Sequence, residues 1–82
     1  MTDVKNAIRQ FILTKYLPGE SPDNLRDDTP LRTSGILDSL ATLGVVSFVE
    51  KEFGIEIEAH ETDVDVFNTL DDMAALVARK KR

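Results

Sequence analysis

The sequence predicts an all-α protein: a small four-helix bundle, three longer helices and one short, with a long first loop. Three observations predict it. Apolar residues recur at helical spacing in separate stretches of the 82-residue chain. Glycine and proline fall between those stretches rather than within them, with the exception of Gly44. Only Ile55-Glu56-Ile57-Glu58 alternates like a strand, and no other segment reads as its partner, so it is expected to be an extended linker.

The first helix is carried by Val4, Ile8, Phe11 and Ile12, which share one face. Thr2 or Asp3 caps its start, and Pro18-Gly19 ends it near Tyr16 or Leu17. Residues 18–37 hold all three prolines and form a loop long by ordinary standards, which Leu25, Leu31, Ile36 and Leu37 pin to the core. Asp38-Ser39 opens the second helix, which runs to Phe53 and stops at Gly54. Thr62 or Asp63 is expected to cap a short third helix through Phe67. Thr69 and Asp72 read as a capping box for the last helix, with Leu70, Met73, Leu76 and Val77 inward. The whole of 1–82 reads as a single domain, with residues 78–82 a frayed basic tail.

Composition removes several kinds of chemistry. The chain has no cysteine, which excludes disulfides, thiolate metal sites and a cysteine nucleophile. His60 is the single histidine and has no second histidine or cysteine with which to share a zinc ion, so no metal site is expected. No apolar run reaches the ~20 residues of a membrane span and no signal peptide opens the chain, which points to the cytoplasm.

Charge is unevenly placed. Residues 38–72 carry ten acids against Lys51 alone, whereas Arg79, Lys80, Lys81 and Arg82 close the chain. The acidic stretch repels phosphate backbones, so nucleic acid is not an expected partner. The terminal cations suit the end of a helix, where they complement its dipole. The acids of 50–72 lack the ligand alternation and mid-loop glycine of a calcium loop.

Gly35-Ile36-Leu37-Asp38-Ser39-Leu40 lies where the long loop meets a helix N-terminus, a place where free N–H groups and the helix dipole favour an anion. Ordinary capping by Asp38, with Ser39 in the first turn, uses the same residues. A catalytic Ser39 would need a base and an oxyanion hole, and His60 is the one imidazole in a domain too small to enclose such a site. Ser39 therefore reads as a residue modified by another enzyme.

Asp38-Ser39-Leu40, set within Gly35–Phe53 and followed by Gly54-Ile55-Glu56-Ile57, resembles the acyl carrier protein family, which includes peptidyl and D-alanyl carriers. The likeness takes in the first amphipathic helix, the loop with Asp28-Thr29-Pro30-Leu31 and the acidic linker. It implies that Ser39 receives 4′-phosphopantetheine from coenzyme A through a magnesium-dependent transferase, with Asp38 capping the helix and contacting the magnesium during transfer. It implies a non-catalytic carrier of acyl or aminoacyl thioesters, a fitting role for a chain with no thiol of its own. An unmodified, carrier-like docking subunit is the alternative, although such a module has no need of the serine.

The sequence departs from fatty-acid carriers on the second helix. Leu40, Leu43, Gly44, Ser47 and Lys51 form its outward stripe, and no acid lies between Leu40 and Val49. This stripe is expected to be a partner face for dedicated enzymes: an adenylating acyl or aminoacyl ligase or an acyltransferase, and a downstream acceptor. Leu40-Ala41-Thr42 and Asp63–Thr69 resemble the same segments of D-alanyl and other free-standing aminoacyl carriers. A specialised pathway outside central fatty-acid synthesis, served by a monomer, is the resulting expectation. Gly44 costs about 1 kcal/mol in mid-helix relative to alanine, and the sequence leaves two reasons open for it, close approach of a partner and tolerated drift.

Overall fold

A computed structural model describes residues 3–81. Among the described residues the chain is helical, with no strand. Three α-helices form, α1 (Val4–Tyr16), α2 (Ser39–Phe53) and α3 (Leu70–Lys80), together with 3-10 turns at Pro22–Asn24 and Ala59–Thr62. α1 packs against both α2 and α3.

Local chemistry accounts for the helix ends. The Asp3 carboxylate accepts from the Lys5 and Asn6 N–H groups and caps α1. Thr2, the alternative cap, lies outside the described residues. At the far end the Leu17 N–H donates to the carbonyls of Ile12 and Leu13, and Pro18, lacking an N–H, cannot extend the ladder. Gly54 stops α2 in the left-handed region at φ 65°, where a Cβ would be strained. Thr69 and Asp72 make the reciprocal capping box at the head of α3.

The inward faces meet in one core. Ile8, Ile12, Val45, Val49, Met73 and Leu76 have no exposed surface. Leu25, Leu31 and Leu37 draw the segment between α1 and α2 into that core, and Ile36 packs at its edge. Polar bonds hold the same segment. Arg9 donates from Nε to the Leu25 carbonyl at 2.8 Å and pairs with Asp27, while Lys5 bridges Asp27 and Asp71, each at 3.1 Å.

The expected short helix through Phe67 does not form. The 3-10 turn sits just before it, closed by a capping box between Glu58 and Glu61, and Asp63–Phe67 makes only one turn, with the Asp63 carbonyl accepting from Val66 and Phe67. Long-range bonds break the helix after that turn. The Asn68 carbonyl accepts from Leu31 at 2.7 Å, and the Asn68 side chain accepts from the Arg32 and Thr33 N–H groups. Asp72 takes the Asn68 and Thr69 N–H groups. Phe67 is thereby driven into the core with no exposed surface.

Two of the terminal cations are engaged. Lys80 pairs with Glu61 at 2.7 Å, and Lys81 donates to the Phe53 carbonyl, one of the free carbonyls at the end of α2. Arg82 lies outside the described residues.

These ion pairs set the pH response. The Lys5 ammonium hydrogen-bonded to Asp27 holds that carboxyl below its usual range, and Lys80 does the same for Glu61. A carboxyl depressed in the folded state contributes stability above its unfolded pKa and loses it as pH falls through the folded value. Stability is therefore expected to be flat from neutrality to about pH 5 and to fall below about pH 4. Lys5→Met should lower stability at pH 7 and shallow the acid decline. Urea unfolding at pH 7 and pH 3 checks this, and identical acid declines in the two proteins would contradict it.

Candidate functional site

The site is built at the junction of the interhelical segment and α2. Asp38 is the N-cap, with φ −83° and ψ −173°, and its Oδ1 accepts from the Ala41 N–H at 2.8 Å. Its carbonyl accepts from both the N–H and the hydroxyl of Thr42. Both bonds fix the direction in which the chain enters α2. Ser39, the first helical residue, is exposed, and its side chain is not needed for the cap.

Upstream, Gly35 adopts φ 86°, a conformation that side chains other than glycine rarely take. The turn it makes brings Leu37 back to donate to the Leu31 carbonyl at 2.8 Å. Leu37 is then buried, Ile36 half-buried and Asp38 exposed in register with the helix. Tyr16, Gly35, Ile36, Asp38, Leu40 and Ala41 line a cleft of about 440 Å³ beside the serine.

Of the residues on the outward stripe, Leu40 and Leu43 are 79% and 61% exposed, large values for leucine, and Ser47 and Lys51 are exposed as well. Gly44 is different. It is half-buried, and a Cβ there would overlap the Tyr16 hydroxyl and lie 3.3 Å from its Cζ. The close approach expected of a partner is thus made by Tyr16 of the same chain. Tyr16 in turn meets Phe11 edge-on, with ring centroids 6.0 Å apart, and Phe11 stacks on Phe48 at 4.2 Å.

The first acid after the serine, Glu50, has an internal task. Its Oε2 accepts from the Ile57 N–H at 2.8 Å and ties the linker to α2. Glu58, His60 and Glu61 bring one donor atom each within 4.8 Å of one another, which the sequence did not show. The Lys80 ammonium lies against this group, 2.7 Å from Glu61 and 3.8 Å from Glu58, and supplies the positive charge there. Sequence reasoning also missed Tyr16 as a wall of the cleft that Asp38 and Leu40 line, because nothing in the spacing of α1 shows where its last turn lands.

Comparison with known proteins gives the family. Residues 16–77 match the family model described as a phosphopantetheine attachment site. The chain is also 39% identical over 78 residues to a probable acyl carrier protein, PigG, of a Serratia species, an alignment that covers 95% of this chain and 88% of that protein. A match over most of the chain, together with a serine exposed at the head of a capped helix, leads to one conclusion: the chain belongs to the acyl carrier protein family, carriers that bear a covalently attached 4′-phosphopantetheine.

Proposed function

We propose that Ser39 is the attachment residue and that the chain is a non-catalytic carrier, loaded and unloaded by separate enzymes. One observation supports this reading above the others. Of the four serines, Ser21, Ser34, Ser39 and Ser47, Ser39 alone stands exposed at the N-terminus of an α-helix, beside an open cleft. The residues fit the group. A phosphodiester at that position meets the positive end of α2, and Asp38, satisfied by Ala41, keeps a second carboxylate oxygen for a magnesium ion during transfer. When attached, the group supplies the thiol that this cysteine-free chain lacks.

The partner face is Leu40, Leu43, Ser47 and Lys51, with Gly44 setting the position of Tyr16 behind it. Two exposed leucines and no acid between Leu40 and Val49 suit an apolar patch on a dedicated adenylating ligase or acyltransferase and on a downstream acceptor, in a specialised pathway. The turns at Ala59–Phe67 are the counterpart of the short helix of a four-helix bundle. The carrier works as a monomer in the cytoplasm, and no described helix is long and apolar enough to cross a membrane.

Incubation with coenzyme A, magnesium and a broad-specificity phosphopantetheinyl transferase tests the reading: one increment in the intact mass is expected. On the partner face, Leu43→Asp should lower kcat/KM for the ligase or acyltransferase that loads the holo-protein by roughly 10–100-fold, the range of a buried interface anchor, with the fold unchanged. A rate equal to the parent's would remove Leu43 from the face.

A further inference from the structure

Ser39 lies between Asp38 and Leu40, and both of these neighbours line the cleft with Tyr16, Gly35, Ile36 and Ala41. The cleft is thus lined by the residues on either side of the attachment serine. Its far wall is built in advance. Tyr16 fits over α2 because Gly44 has no Cβ, and Phe11, itself stacked on Phe48, supports the ring from its edge. The opposite wall, Ile36, is set by the turn at Gly35 and by the anchoring of Leu37.

We propose that this cleft seats the proximal half of the pantetheine arm, the part carrying the geminal methyl groups, the secondary hydroxyl and the first amide. The proposal rests on Ser39 being the attachment residue. The chemistry of the walls matches. The Tyr16 ring, Ile36, Leu40 and Ala41 offer apolar surface to the methyl groups. The Tyr16 hydroxyl and the Gly35 carbonyl offer hydrogen bonds to the hydroxyl and amide, the Gly35 N–H being already donated to the Arg32 carbonyl. At about 440 Å³ the cleft is large enough for that fragment. Tethering adds what a shallow site lacks. A group fixed to the adjoining residue is present at an effective concentration in the millimolar range, so weak contacts suffice to fill the site.

The test is nuclear magnetic resonance on the wild-type and Gly44→Ala proteins, each converted to the holo form with coenzyme A and a transferase and checked by intact mass. In wild-type holo-protein, nuclear Overhauser effects are expected from the geminal methyl groups to the Tyr16 ring and the Ile36 methyls. Shifts between apo and holo forms should centre on Tyr16, Ile36 and Ala41. Gly44→Ala should push the Tyr16 hydroxyl aside and cause loss of the arm-to-Tyr16 effects; if that variant fails to fold, the wild-type contacts decide. Effects directed to Val64 or Val66, or an arm that shows none to the protein, would overturn the cleft while leaving the carrier reading intact. Absence of the mass increment would overturn both.

Discussion

Alanine at position 39 is expected to leave the fold as stable as the parent and to abolish phosphopantetheine loading. The two effects separate because two residues share the head of α2. Capping belongs to Asp38, whose Oδ1 holds the Ala41 N–H and whose carbonyl holds Thr42. Ser39 is exposed and lies outside that cap, so the substitution removes no internal bond of the N-cap. Exposed substitutions of this kind change stability by about 0.5 kcal/mol or less, and alanine is the better helix former. Asp38→Ala is the contrasting case: losing the cap costs about 1 kcal/mol. Urea unfolding and intact mass on both variants check the division. Residual modification of Ser39→Ala would show that another serine accepts the group.

The second large effect lies in the core. Phe67→Ala should cost ~3–5 kcal/mol, through lost burial and the cavity left behind. Phe67 has no exposed surface and stands where the chain leaves the Asp63 turn to meet Leu31 and Arg32. An 82-residue protein has a total stability of about 4–12 kcal/mol at 0.05–0.15 kcal/mol per residue. Much of it goes with this one ring, and the segment between α1 and α2 loses part of its support. A fall of the thermal midpoint by 10 °C or more is expected, at ~4–8 °C per kcal/mol for a domain of this size. A change under about 1 kcal/mol in urea unfolding would show that the ring carries less of the core than its burial implies.

What was legible in the sequence was what short-range chemistry decides. Asp38 and Gly54 mark the limits of α2 because a carboxylate cap and a left-handed stop act within one turn of the helix. Thr69 and Asp72 mark the start of α3 for the same reason. What was hidden depends on residues far apart. The segment expected as a helix through Phe67 makes a single turn and then passes to Asn68, whose partners Leu31, Arg32 and Thr33 lie more than thirty positions earlier. Gly44 falls on the outward stripe by periodicity, yet it makes room for Tyr16, twenty-eight residues before it. The place of Ser39 at the head of α2 was readable because its cap and loop are local. The cleft beside it was not, because one wall is the last turn of α1 and the other the turn at Gly35.

The central claim is that the hydroxyl at the head of α2 is where the carrier is made competent. Fragment-ion mapping of the wild-type protein, after incubation with coenzyme A, magnesium and a phosphopantetheinyl transferase, tests it most directly. A single phosphopantetheine on Ser39, and none on Ser21, Ser34 or Ser47, is the predicted result. The group on any other serine, or a well-folded protein that several transferases leave unmodified, would contradict it.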